Sequence, residues 1–245
     1  EKLAKQQSTI ANRTTDFFVN ILESASPLAS KGEAINLEDV LINAERQLSF
    51  GLEDQPEIKA SFLSKVASIN HHLNNNDKSI EFYHNAFTIY DKLNNDDQKL
   101  FILGQLAISY HFIGDIENRN LYKNKAIELS KYISDPLKLG WHQARMASLA
   151  FFVDDFKFIN ETTPKTLLFL KQNNIDDPEL LGRLYNELAL AQDESNQEKA
   201  LKYINLALDY SEALNGKMHP KYQGRQINKS SILLKLQRYE EAEKV

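Results

Sequence analysis

Residues 178–216 read PELLGRLYNELALAQDESNQEKALKYINLALDYSEALNG, and this stretch decides the fold. Pro is tolerated in the first turn of a helix, so Pro178 predicts a helix start. Asn215 and Gly216 predict a helix end, because both residue types accept the left-handed backbone conformation that stops a helix. Small residues stand inside both intervening amphipathic runs: Ala189, Ala200 and Ala207. Small side chains let two helices cross closely, so the stretch predicts one helical hairpin.

The same pattern returns along the chain at intervals of 40 to 42 residues. Helix starts are predicted at Pro56, Asp96-Asp97, where Asp can cap the helix, Pro136, Pro178 and Pro220. Small residues follow these starts at Ala67, Ala107, Ala147, Ala189 and Ser230, and a second small series occupies Ala86, Ala126, Thr166 and Ala207. Helix ends are predicted at Asn94-Asn95, Ser134-Asp135, Asn173-Asn174 and Asn215-Gly216. A fixed period of this kind indicates a helical-repeat protein.

The composition agrees with an all-α protein. The 245 residues include only 8 Gly and 6 Pro, and 42% of them are apolar, which is enough to fill a core. We therefore predict an all-α superhelix, a solenoid of stacked helical hairpins. The predicted hairpins cover residues 55–95, 96–135, 136–177 and 178–219, with an incomplete fifth hairpin over 220–245.

Residues 1–54 precede the repeats and are predicted to form a leader with two helices. The first covers residues 1–24 and the second residues 37–50, each with an apolar stripe. Because the terminal hairpin of a solenoid exposes an apolar face, this helix pair is expected to cap the first repeat. Both ends of the chain lie within helical patterns, which indicates a fragment of a longer protein.

The residues at the small and neighbouring positions resemble the tetratricopeptide repeat (TPR) over about residues 57 to 245. The matching residues are Leu63, Val66, Ala67, Ser79, Tyr83 and Ala86, then Leu103, Leu106, Ala107, Tyr110, Gly114, Asp115 and Ala126, then Tyr185, Leu188, Ala189, Ala200 and Ala207, and finally Tyr239 and Ala242. The third repeat matches less well, with Met146, Ala147 and Phe156. The period exceeds the roughly 34 residues usual in this family, which we attribute to longer second helices and extra linker residues. Another helical-hairpin solenoid is the alternative.

A second resemblance involves the leader. The run from Asp16 to Pro27, followed by Gly32, Leu41, Ala44, Leu48 and Gln55-Pro56-Glu57, is similar to the segment that joins a membrane anchor to the repeats in bacterial serine/threonine protein kinases. Some membrane-anchored winged-helix regulators have similar leaders. The resemblance implies a membrane-anchored parent protein with this part on the extracytoplasmic side, a cytoplasmic location being the alternative. It implies no activity within this chain.

The sequence carries no motif for catalysis or for a cofactor. It has no Cys, no Gly-rich phosphate loop, no Gly-x-Ser-x-Gly elbow and no His-Glu-x-x-His spacing. The His71-His72 pair with His111 shows no third or fourth ligand, so no metal is expected. A net charge of -5 gives no general positive field for nucleic acid, and no segment reaches the roughly 18 apolar residues of a membrane span. We predict a chain that is not an enzyme and that itself contacts neither nucleic acid nor membrane.

The TPR resemblance implies that the first helices of the hairpins line a concave groove for a protein or peptide partner. The register assigns to it His71, His72, Phe101, Ile108, His111, Phe112, Trp141, Ser148, Phe151, Phe152, Arg183, Asn186 and Leu190. Aromatic anchors within a polar rim favour such contacts, and Trp141, the only Trp, is the best single candidate. The alternative is that several of these rings pack between hairpins. The positions of the Lys/Asn/Arg clamp of some TPR proteins hold Ser64, Ser68, Gly104 and Ile108, so binding of a chaperone tail is not expected.

These observations predict a protein- or peptide-binding module. We expect it to be the sensory or scaffolding part of a bacterial membrane-anchored signalling protein. Two alternatives stay open at this point: an architectural module that forms a homodimer, and a receptor for a short signalling peptide.

Overall fold

A computed structural model describes residues 37–50, 52–192 and 196–245. Regular structure in these ranges is entirely α-helical, as predicted. The helix predicted over residues 1–24 and the linker that follows it lie outside the described residues. The chain divides into two compact units, Glu1–Leu121 (unit 1) and Tyr122–Val245 (unit 2), and each is described by itself. The domain boundaries drawn from the sequence remain predictions.

Unit 1 contains, within its described residues, α1 (Leu37–Phe50), α2 (Pro56–His72), α3 (Asn76–Lys92) and α4 (Asp96–Phe112), and the unit boundary falls within α5 (Ile116–Ser130). Successive helices pack on each other, with α2 and α3 forming a hairpin and α4 packing on α3. Unit 2 contains α6 (Pro136–Phe152), α7 (Phe156–Gln172), α8 (Pro178–Gln192), α9 (Gln197–Asn215), α10 (Pro220–Lys235) and α11 (Tyr239–Ala242). Here too each helix packs on the next, and α6 also contacts α8.

None of the described helices combines the length and the apolar composition that a bilayer crossing requires.

The predicted helix starts at Pro56, Pro136, Pro178 and Pro220 are confirmed. The cap of α4 differs from the prediction, because Asn95 and not Asp96 precedes the first helical residue. The Asn95 side-chain oxygen accepts a hydrogen bond from the backbone N–H of Gln98 at 3.2 Å. Asp96 lies instead in the first helical turn, where its negative charge is favourable beside the positive end of the helix dipole.

Replacement of Asn95 by Ala is expected to lower the free energy of unfolding by about 1 kcal/mol, because the backbone N–H of Gln98 loses its acceptor. Asn75 provides a matched control in the same unit. It precedes α3 but makes no capping hydrogen bond with its side chain, so Asn75→Ala should cost less than half as much. Urea unfolding followed by circular dichroism measures both. Equal losses would contradict the capping role of Asn95.

Left-handed residues end several helices where the sequence predicts an end. Asn94 and Asn174 have φ of 51° and 56°, and Gly216 has φ of 74°. The end of α5 is an exception, because the helix stops at Ser130 and not near Ser134. The backbone N–H groups of Lys131 and Tyr132 bond to carbonyls three residues back, which tightens the last turn and closes the helix early.

Pro164 lies in the interior of α7, contrary to the expectation that Pro occurs only in first helical turns. The residue is solvent-exposed, so its ring does not disturb the core. Because Pro has no backbone N–H, the carbonyl of Asn160, four residues earlier, accepts no helical hydrogen bond from residue 164.

The small positions of the repeat lie in the core, except for Ser230, which is half-buried. Ala67, Ala107, Ala147 and Ala189 are at most 1% exposed, and Ala86, Ala126, Thr166 and Ala207 are also buried. In unit 2 these residues pack with larger neighbours, as in the cluster of Ala147, Ala150, Ile159, Leu188 and Ala191. The explanation offered for the long period, longer second helices and extra linker residues, stays a prediction. The second helices α3, α5, α7 and α9 have 17, 15, 17 and 19 residues. The first helices α2, α4, α6 and α8 have 17, 17, 17 and 15 residues.

Candidate functional site

A polar recess of about 450 Å³ lies between α8 and α10 in unit 2. Both are first helices of their hairpins, so the recess occupies the face on which the sequence predicts partner binding. We call this site the recess throughout. Its lining residues are Glu179, Arg183, Asn186 and Glu187 from α8, and Lys221, Gly224, Arg225 and Asn228 from α10.

Equivalent residues of two consecutive repeats face each other across the recess. The Nδ2 of Asn228 donates to Oδ1 of Asn186 at 3.1 Å, and these residues are 42 positions apart in the sequence. Lys221 forms an ion pair with Glu179, again at a separation of 42. Arg183 and Arg225 stand in the same relation. The recess is therefore built by repetition of one helix face.

The Arg183 side chain is held in place by a hydrogen bond to Ser148 of α6. Its Nη2 donates to the Oγ of Ser148 at 2.9 Å, and Ser148 donates to the Oε1 of Glu187 at 2.6 Å. Glu187 is only 7% exposed. Burial raises the pKa of the Glu187 carboxyl, while the hydrogen bond from Ser148 and the charges of Arg183 and Arg225 oppose that rise.

Arg225 is fixed in a similar way from α9. Its Nη1 donates to the backbone carbonyl of Ala207 at 2.8 Å and to the hydroxyl of Ser211. Gly182 gives this side chain its room, because a Cβ at that position would lie 2.8 Å from Nη1 of Arg225. Burial lowers the pKa of the Arg225 guanidinium. The charges of Glu179 and Glu187 oppose this shift, and the charge of Arg183 acts in the same direction as burial. The two arginines are therefore close enough to influence each other.

The residues predicted as contacts in unit 2 lie in different environments. Arg183 and Asn186 line the recess, whereas Ser148 is buried and bonds to two lining residues, Arg183 and Glu187. Trp141 is half-buried and packs against the core cluster of Ala144, Leu170, Leu180, Leu181 and Leu184. Phe151 packs in a second cluster, with ring centroids 6.1 Å from Phe152 and from Phe156. Leu190 is half-buried outside the recess, and Phe152 is 40% exposed.

Four of the residues predicted in unit 1 come together. The ring of Phe112 lies 5.1 Å from that of His71 and 5.5 Å from that of His111, and His71 lies 5.8 Å from His72. The Nδ1 of His71 is 2.7 Å from Oδ1 of Asn76. Burial, aided by the charge of Arg119, lowers the pKa of His111.

The remaining two predicted contact residues of unit 1 pack against other side chains of the protein. Ile108 is buried, so the structure leaves little of its side chain accessible, and its role as a contact residue stays a prediction. Phe101 is half-buried, with its ring 6.5 Å from that of Tyr83. In the part of the chain that the structure describes, no three His, Cys, Asp or Glu side chains are grouped so that they could hold a metal ion.

Sequence reasoning missed six lining residues: Glu179, Glu187, Lys221, Gly224, Arg225 and Asn228. Arg225 and Asn228 follow from the predicted Arg183 and Asn186 by adding one period of 42 residues, so the signal for these two was present in the sequence. No periodic signal marks Glu187, because its partner Ser148 belongs to another repeat and lies 39 residues away.

No protein-family model matches this sequence, and no curated protein matches it. Solved structures do resemble the fold. A crystal structure of BtubC (BKLC) from P. vanneervenii has a TM-score of 0.66 at 17% identity, covering 84% of this chain and 87% of that chain. A putative kinesin light chain from Podospora anserina with nearly identical TPR-like repeats has a TM-score of 0.57 at 13% identity, covering 77% of this chain and 91% of that one.

A third structure is the Signal Transduction ATPase with Numerous Domains (STAND) protein with a tetratricopeptide repeat sensor from Pyrococcus horikoshii. The match has a TM-score of 0.59 at 18% identity and covers 91% of this chain but only 36% of that chain. At these identities the similarity shows the fold alone. The chain has an all-α fold of TPR-like helical hairpins.

Proposed function

We propose that this chain is a protein-interaction module that binds an extended polypeptide in the recess between α8 and α10. The observation that carries the proposal is the repetition of amide and charged groups at a separation of 42 residues, with Asn186 bonded to Asn228. Side-chain amides both donate and accept hydrogen bonds, as a peptide backbone does, so a bound chain could replace the Asn–Asn bond with bonds of its own. The recess is open and polar, which suits an extended segment.

The TPR-like architecture supports the same proposal. Stacked hairpins present the inner faces of their first helices as a continuous surface, and repeat proteins use such surfaces for extended ligands. Arg is enriched in protein interfaces, and two Arg side chains line the recess.

Selection from a library of random twelve-residue peptides displayed on phage tests the proposal. Peptides that the protein enriches should lose about tenfold or more in affinity, roughly 1.4 kcal/mol, when Asn186 and Asn228 are both replaced by Ala. Asn124 is exposed on α5, and Asn124→Ala should leave affinity unchanged. Fluorescence polarisation with labelled peptides gives the affinities. If no peptide is enriched, or if the double variant binds as well as the control, the recess is not the binding site.

We further propose that the module belongs to a bacterial membrane-anchored signalling protein, as its sensory or scaffolding part, on the extracytoplasmic side. The support is the resemblance of the leader to the segment that follows the membrane anchor in serine/threonine kinases. The full-length gene tests this directly. An apolar span of about 20 residues encoded before Glu1 is expected, and its absence would remove the support.

A further inference from the structure

We infer that the recess selects an acidic residue in the bound polypeptide, and that the carboxylate of this residue lies between the guanidinium groups of Arg183 and Arg225. The inference rests on the proposed function and specifies the ligand chemistry of the same site. Its starting point is that two arginines of consecutive repeats face one open recess while each is fixed from behind.

The first step is that both arginines keep donors for a ligand. A guanidinium has five N–H groups. Arg183 uses Nη2 to reach Ser148, and Arg225 uses Nη1 to reach Ala207 and Ser211. These anchoring bonds go to hydroxyl and carbonyl oxygens, which carry no formal charge. The anchoring bonds therefore orient the arginines without bringing a formal charge of their own. The carboxylates that act on them are Glu187, on both arginines, and Glu179, on Arg225.

The second step is the charge balance of the recess. Lys221 and Glu179 form an ion pair and cancel each other. Glu187 supplies the remaining negative charge, against the two positive charges of Arg183 and Arg225. The net charge of the lining is thus about one positive unit with Glu187 ionised and about two with Glu187 protonated. In either state the recess has an excess of positive charge that a ligand can balance.

The third step is the choice of anion. Arginine binds planar carboxylates through two parallel hydrogen bonds, and fixed guanidinium groups lose little entropy on binding. One carboxylate balances the single positive charge that remains when Glu187 is ionised. A phosphorylated side chain uses the same oxyanion chemistry but brings nearly two charges, which would oppose the charge of Glu187. We therefore assign the site to Asp or Glu.

The experiment compares three versions of an enriched peptide, with Glu, Gln or phosphoserine at the position that the selection makes acidic. The Glu version is expected to bind at least tenfold more tightly than the Gln version, and also more tightly than the phosphoserine version. In Arg183→Gln, the Glu and Gln versions should bind with similar affinities. Arg183→Lys, which keeps the charge, should retain part of the preference. Fluorescence of Trp141 shows whether each variant is folded.

A second variant probes the counter-charge. Glu187→Gln keeps the shape and can still bond to Ser148 but removes the negative charge, so affinity for the Glu version should rise several-fold. Arg225 is not the first choice for substitution, because its replacement would remove two anchoring bonds, to Ala207 and Ser211, whereas Arg183 has one such bond, to Ser148.

The outcomes separate the two proposals. Enriched peptides without an acidic preference, or an Arg183→Gln variant that keeps the full preference, would overturn this inference and leave peptide binding intact. Tighter binding of the phosphoserine version, or weaker binding by Glu187→Gln, would also overturn it. Failure to enrich any peptide would remove the proposed function and this inference together.

Discussion

Replacement of Leu170 by Ala is expected to destabilise unit 2 by about 3 to 4 kcal/mol. Leu170 is fully buried in the core cluster with Ala144, Leu180 and Leu184. Its Cδ2 atom would lie 2.8 Å from a Cβ built at Gly140, which shows how closely α7 meets α6 at this point. Truncation to Ala leaves a cavity where α6, α7 and α8 meet. The lost dispersion contacts and the cavity both lower the free energy of unfolding.

Leu168 provides the control, because it lies on the same helix two residues away and is 56% exposed. Leu168→Ala should change the free energy of unfolding by no more than about 0.5 kcal/mol. Urea unfolding followed by fluorescence measures both variants, since Trp141 packs against the cluster that contains Leu170. Similar losses for the two variants would show that Leu170 does not hold the three helices together.

Acidification is expected to destabilise unit 2 through His142. This residue of α6 is 1% exposed, and among the described residues neither ring nitrogen has a hydrogen-bond partner. Burial, aided by the charge of Arg145, lowers the pKa of His142 from 6.5 to about 4. The unfolded chain binds a proton below about pH 6.5, whereas the folded chain does not until about pH 4. The stability is therefore complete above pH 6.5, and this residue removes about 3 kcal/mol as the pH falls to 4.

His142→Leu isolates this contribution, because Leu has a similar volume and does not titrate. Between about pH 7.5 and pH 4, the free energy of unfolding should fall by about 3 kcal/mol less in the variant than in the unmodified protein. Urea titrations followed by Trp141 fluorescence give the values. Parallel pH profiles for the protein and His142→Leu would contradict the assignment.

Local and periodic features of the fold could be predicted from the sequence. Pro at 56, 136, 178 and 220 predicts helix starts because the ring excludes most other helical positions, and the structure confirms all four. The buried Ala series was predictable for a related reason, since only a small side chain fits where two helices cross. Choices between adjacent residues of similar propensity were not predictable. Asn95 and Asp96 can both cap a helix, and the sequence does not show which one precedes the first turn.

The site was predictable only where it repeats. Arg183 and Asn186 follow from the register of α8, and the same register one period later gives Arg225 and Asn228. Glu187 and Ser148 meet through packing between repeats, which no spacing rule encodes. For the aromatic residues, the register does not distinguish contact with a partner from packing between hairpins. Trp141 satisfies the pattern of a contact residue, yet much of its ring packs against the core, because apolar side chains on a first helix also fill the space between hairpins.

The space next to the Cα of Gly182 on α8 is filled by a side chain from α10. The Arg225 side chain occupies the volume that any side chain at position 182 would need, so the effects of substitutions at these two sites cannot be independent. A larger residue at 182 requires the Arg225 guanidinium to shift, and the position of that guanidinium in the recess would change with it. A substitution at Gly182 is thus expected to alter the proposed acidic preference, although Gly182 itself does not line the recess.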